Sequence, residues 1–329
     1  MATNHPSKNW INLAQASFGA SVIEATDEFF GAKENLLNDS DPVFIPGKFT
    51  DQGKWMDGWE TRRKRYEGYD YCVIKLGVPG IIRHIDIDTR HFTGNFPPSA
   101  SIDACFSESP PDETTSWIRI LPSKSLQADS HNPFDIDSTF QWNHVRLNIY
   151  PDGGVARLRV YGEFLPDWDH HHPEDVIDLV SLKNGGRALM CNDEHFGAVQ
   201  NVITPYPPRN MGDGWETRRR REPGYDWAIF SLGRLGRVEK IVIETHFFKG
   251  NYPESCSIQG SYVKGGSEDT LATQSLFWPH LLTKSQLKPD ETHTYISEIN
   301  DIGDISHIRL NIFPDGGISR LYIYGKTTD

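Results

Sequence analysis

Apolar residues along this chain recur mostly at every second position. Val145, Leu147 and Ile149 alternate with His144, Arg146 and Asn148, and Ile85 and Ile87 alternate with Asp86 and Asp88. A period of two belongs to a strand that buries one face. Short clusters of Gly, Pro, Asn and Asp punctuate these runs, as turns require. One of them, PDGG at 151–154, lies between RLNIY and VARLRVYG. It predicts a hairpin in which a tight turn joins two half-buried strands. Helical periodicity is confined to a short amphipathic piece at most. Many short strands between turn signals predict an all-β protein built as antiparallel sandwiches of the jelly-roll kind.

The pattern occurs twice. GYDYCVIKLG (68–77) aligns with GYDWAIFSLG (224–233) at an offset of 156, and the same offset brings IDIDTRHFTGNFPPSASI (85–102) onto IVIETHFFKGNYPESCSI (241–258). RLNIYPDGG (146–154) matches RLNIFPDGG (309–317) after the offset has grown by seven, and ATDEFFGAKENLL (25–37) mirrors CNDEHFGAVQNVI (191–203). Internal repetition on this scale predicts two tandem domains. Their expected bounds are 1–163 and 177–329, with a polar, proline-bounded linker at 164–176. The longest identical run, DGWETRR, opens DGWETRRKR (57–65) and DGWETRRRR (213–221), which differ only at Lys64 and Arg220.

The formal net charge of −12 speaks against a nucleic-acid or anionic-membrane surface. Arginines clustered inside an acidic chain suit a pocket for one small anion. Cys72, Cys105, Cys191 and Cys256 form no CxxC pair, which fits reduced thiols and a cytoplasmic setting. No apolar run approaches a membrane span, and the N-terminus lacks an apolar signal core. His170–His172, beside Asp169 and Glu174, sit in the linker, where consecutive residues are poor ligands for one ion. Neither HExxH, GxSxG nor a phosphate-binding glycine loop occurs, so the common hydrolase templates are missing.

Three groups of residues remain as candidates for chemistry. In a regular strand over 59–64, Trp59, Thr61 and Arg63 would share one face and Glu60, Arg62 and Lys64 the other. That string reads either as a turn at Asp57-Gly58 with a core tryptophan and a structural ion pair, or as an anion site. On the loop DTRHFTGN (88–95), Asp88, His91 and Asn95 are placed for ligand contact, and His91 becomes Phe247 in the second copy. Arg146 and Asn148, like Arg309 and Asn311, face away from the apolar side of their strands, toward a groove or toward solvent. Asp152 and Asp315 read as turn formers.

Together, the two DGWETRR strings, the DT/ET-x-x-F-x-GN-x-P loop and the RLNI-F/Y-PDGG segment resemble the allantoicase (allantoate amidinohydrolase) family, over nearly the whole chain. The resemblance implies two jelly-roll domains akin to galactose-binding and discoidin-like modules. It also implies hydrolysis of allantoate to ureidoglycolate and urea in purine breakdown. For that reaction we assign the acid–base work to Glu60, Asp88 and His91, a division that the resemblance itself does not supply. Trp59, Arg62, Arg63, Asn95 and Arg146, with Glu216, Arg218, Arg219 and Asn251 of the second copy, hold substrate. No organic cofactor is expected, no metal ligand is assigned, and assembly into a homo-oligomer is left open. The alternative is a non-catalytic tandem binding module for a small anionic or carbohydrate ligand.

Overall fold

The structure is a computed structural model that describes residues 10–328 apart from 167, 169–170, 173 and 266–267. Part of the histidine-rich linker, including Asp169 and His170, therefore lies outside the described residues. The chain divides into two compact units, Met1–Leu165 and Pro166–Asp329. Each is an antiparallel β-sandwich with its own apolar core. The one α-helix among the described residues is Glu268–Gln274.

A single long strand organises each sandwich. In the first unit it is Asp70–Asp88. Its first half pairs with Ser21–Ala25 on one side and Gln141–Tyr150 on the other. Its second half pairs with Arg157–Phe164 and Pro133–Asp135. The strand therefore passes from one layer to the other, and Ile74, Ile82, Ile85 and Ile87 along it are fully buried. Asp226–Glu244 repeats the arrangement in the second unit.

This layout corrects the hairpin expected at PDGG. Gln141–Tyr150 and Arg157–Phe164 are not hydrogen-bonded to each other; they pair with opposite halves of the long strand. PDGG is a crossover between layers. It carries a cis Tyr150–Pro151 peptide and a Gly153 at φ 139°, a backbone region open to glycine. After the crossover Gly154–Val155 pairs with Trp59–Glu60, so the two most repeated strings meet at one end of the sandwich. The alternation on each side of PDGG was read correctly, but period alone does not say which strand is the partner.

Candidate active site

At that end the backbone of Glu60 is held between Gly154 and Gly31. Both neighbours need to be glycine. A Cβ on Gly154 would overlap the Phe92 ring, and one on Gly31 would overlap the Gly58 carbonyl. Strand geometry in this string lasts only for Trp59 and Glu60, so the face assignment of a regular strand over 59–64 does not apply beyond them. Thr61 then locks onto the crossover: its N–H donates to the Gly153 carbonyl, and the Gly153 N–H donates to its hydroxyl at 3.1 Å. Asp152 also does more than form a turn, because its carboxylate accepts the Lys64 N–H at 2.8 Å.

Trp59 is a core residue. It is 0% exposed, and its indole N–H donates to the Asp27 carbonyl at 2.8 Å. Asp27 also answers for Arg62, accepting its backbone N–H at 3.0 Å and its Nε–H at 2.6 Å. Asp193 does the same for Arg218 and Trp215. The one variable position of the motif has a matching role in both copies. Lys64 forms a buried ion pair with Asp70 at 2.8 Å, and Arg220 pairs with Asp226. Two of each four consecutive cations are thus consumed by structural carboxylates. Arg63 and Arg65, like Arg219 and Arg221, have no carboxylate partner among the described residues, and all four are exposed.

Two further candidates are engaged in ion pairs. Asp88 is buried and grips Arg90 through both carboxylate oxygens, with the Arg90 backbone N–H bound as well. Arg146 lies on the sheet face against Trp117, paired with Asp103 at 2.9 Å. Its repeat partner Arg309 is buried under the short helix, donating to Ser275 and Asn311.

The candidates that do converge are Glu60, His91 and Asn95. They line a cleft of about 420 Å³ with Phe30, Lys54, Met56, Thr93 and Gly94. Asn95 Nδ2 donates to Glu60 Oε1 at 2.6 Å, orienting the carboxylate. Burial raises the Glu60 pKa; the Asn95 bond and the nearby Lys54 charge oppose that rise. His91 sits at φ 71°, and Phe247 repeats this at φ 72°, so the turn and not the side chain sets the strain. In both copies an aspartate accepts the backbone N–H: Asp129 for His91 at 2.7 Å and Asp290 for Phe247 at 2.8 Å. His91 Nε2 lies 3.1 Å from the Pro42 carbonyl, which can only accept, so Nε2 carries a hydrogen and Nδ1 is left for chemistry.

Lys54 and the cover over His91 come from a segment the second copy lacks. From Leu37 to Asp57 there are 19 intervening residues, and from Ile203 to Asp213 only nine. The added ten residues include a small hairpin, Phe49–Thr50 with Gly53–Lys54, and place Phe44 against the His91 ring. Two groups fasten this segment. Asp57 accepts the Val43 N–H at 2.9 Å, and the fully buried Arg157 bridges Asp57 and the Ser40 carbonyl. The signal was available, since the repeat offset falls from 166 before this segment to 156 after it. The second copy has its own cleft of about 380 Å³, lined by Glu216, Arg219, Asn251, Tyr252 and Glu254 among others. Its Glu216 accepts a hydrogen bond from Asn251, and burial again raises the carboxyl pKa.

The allantoicase repeat model matches residues 11–165 and 177–328, one match on each sandwich. The chain belongs to the allantoicase family. It is 52% identical over 326 residues to the probable allantoicase of Pseudomonas aeruginosa strain UCBPP-PA14, covering 99% of this chain and 98% of that one. It is 53% identical over 322 residues to the probable allantoicase of Pseudomonas fluorescens strain Pf0-1, covering 98% and 97%. The solved structure of allantoicase from Saccharomyces cerevisiae superposes with a TM-score of 0.79 at 33% identity, over 96% of this chain and 93% of that one. The repeated sandwich is therefore the allantoicase architecture, and the Glu–Asn pair belongs to an allantoicase-family cleft.

Proposed function

We propose that this chain hydrolyses allantoate to ureidoglycolate and urea, and that the reaction takes place in the first cleft. Family membership over the full length supports the activity. The observation that supports the place is the convergence of Glu60, His91 and Lys54, a base, an acid and a cation, around one opening. Allantoate carries a carboxylate and two ureido groups on one carbon. The Lys54 ammonium suits the carboxylate, and Asn95 and the Thr93–Gly94 loop face the ureido groups. Glu60, whose raised pKa makes its ionised form a better base, takes a proton from water as the water oxygen bonds to the central carbon. The C–N bond to one ureido group breaks, and the protonated His91 ring gives its Nδ1 proton to the departing nitrogen. The products are one urea and one ureidoglycolate.

This is C–N bond hydrolysis on a linear ureide, with intact urea as the leaving molecule. Among the described residues no group of three or more His, Cys, Asp or Glu side chains is placed to hold a metal ion. Urea release is expected to survive exhaustive chelation; its loss would call for a metal. The four cysteines are unpaired and three are buried, which supports a cytoplasmic location. No described helix is long and apolar enough to cross a membrane. A binding module with this architecture would release no urea from allantoate, so a direct urea assay decides between the two readings. Stoichiometric ammonia in place of urea would refute the bond assignment.

Lys54→Ala carries a separate prediction. Losing the cation should raise KM for allantoate about tenfold, the worth of one charged hydrogen bond at a partly exposed site. It should also move the acid limb of the kcat/KM profile, which reports the free enzyme, to higher pH. The Lys54 charge holds the Glu60 pKa down, and without it the carboxylate takes up its proton at a higher pH. An unshifted limb would separate Glu60 from the titrating base.

A further inference from the structure

We infer that the second cleft is a distinct binding site for a small ureido carboxylate, which it holds without cleaving. This rests on placing the reaction in the first cleft. The second cleft keeps the Glu–Asn pair, with Phe196 and Gly250 where the first has Phe30 and Gly94, but lacks the histidine and lysine of the first. Phe247 replaces His91, and the ten-residue segment that brings Lys54 and Met56 is missing. Arg219, the repeat counterpart of Arg63, and Glu254, at the place of Pro98, line this cleft instead.

Arg219 is the residue that points to a ligand. Its neighbours Arg218 and Arg220 are each spent on a structural aspartate, whereas Arg219 lines the cleft with no carboxylate partner among the described residues. A guanidinium fork matches a carboxylate through two parallel hydrogen bonds. Across the same opening Glu254 offers an acceptor suited to ureido N–H groups. Asn251 donates to Glu216, which fixes the remaining acceptors of that carboxyl. An anion-binding arm beside N–H acceptors is complementary to a ureido acid, the chemical class shared by allantoate and its product. The cleft lacks a counterpart of the His91 acid, so a bound ureide would not receive the proton its leaving nitrogen needs.

Calorimetric titration with ureidoacetate tests this. It is a ureido carboxylate with no second nitrogen or oxygen on its α-carbon to expel urea. The wild-type chain is expected to bind two molecules. Arg219→Ala should weaken one site at least tenfold and leave the other, Lys54→Ala should weaken the other, and melting curves of both variants check that they are folded. A single site removed by Lys54→Ala and untouched by Arg219→Ala would overturn the inference, as would no binding at all. A single site removed only by Arg219→Ala would keep the second cleft as a site but overturn the assignment of the reaction to the first. Urea release from allantoate by the wild type, measured in parallel, tests the activity independently of either result.

Discussion

Glu60→Gln is expected to lower kcat for urea release by about 10²–10⁴-fold, the usual worth of a positioned general base. Glutamine keeps the size of the side chain and an oxygen that can accept from Asn95, so the bond seen at 2.6 Å has a substitute. It also removes a buried ionisable group whose charged form burial disfavours. The melting temperature should therefore hold or rise while turnover collapses. That pairing distinguishes lost chemistry from lost structure. The mirror substitution, Glu216→Gln, asks where the reaction occurs. If it stops urea release and Glu60→Gln does not, the chemistry belongs to the second repeat.

Asp178→Asn is expected to stabilise the protein, and only above mildly acidic pH. Asp178 and Asn12 occupy matching places in the two units, each facing the last strand of its sandwich. Asn12 Oδ1 accepts the Val160 and Ala14 N–H groups at 3.0 and 3.2 Å. Asp178 Oδ1 accepts the Ile323 N–H at 2.9 Å. An amide already performs this task in the first unit, whereas in the second burial pushes the Asp178 carboxyl up to about 7 from 3.8, against three backbone hydrogen bonds. A folded pKa above the unfolded one means that the folded state resists ionisation. Near pH 4 the wild type carries no penalty. As the pH rises toward 7 the unfolded chain gains charge freely and the folded chain does not, so stability falls and then levels off. The shift sets a ceiling of about 4 kcal/mol. Part of the residue reaches water, which lowers the expectation to about 2–3 kcal/mol at pH 8. Denaturant titrations of both proteins at pH 4.5 and pH 8 measure this gap. A gap of equal size at both would show that the carboxyl does not titrate in this range.

The division into two β units was legible because repetition and period-two alternation are local properties of the string. Strand partners were not. PDGG between two alternating runs is a good hairpin signal, yet the long strand Asp70–Asp88 offers each flank a better partner in a different layer. The arginine motif shows a second limit. Charge suggests a ligand wherever cations cluster, but Asp27, distant in sequence, claims Arg62, and Asp70, at the start of the long strand, claims Lys64. Lys54 was missed for the opposite reason. It stands alone in a segment with no repeat partner, and only the fold brings it beside Glu60.

The strand that crosses between layers also sets an order of events during synthesis. Its two halves await Gln141–Tyr150 and Arg157–Phe164, some 60–90 residues downstream. Neither layer of the first unit can close until nearly all of that unit has left the ribosome. Pairing at such sequence separation is slow, because loop closure comes before any contact rewards it. The second unit cannot begin its equivalent closure until Arg320–Thr327 emerges, almost at the end of the chain. A nascent chain halted near residue 140 should thus be fully open to protease, and one halted well beyond 165 should shelter a finished first unit while the second is still unmade.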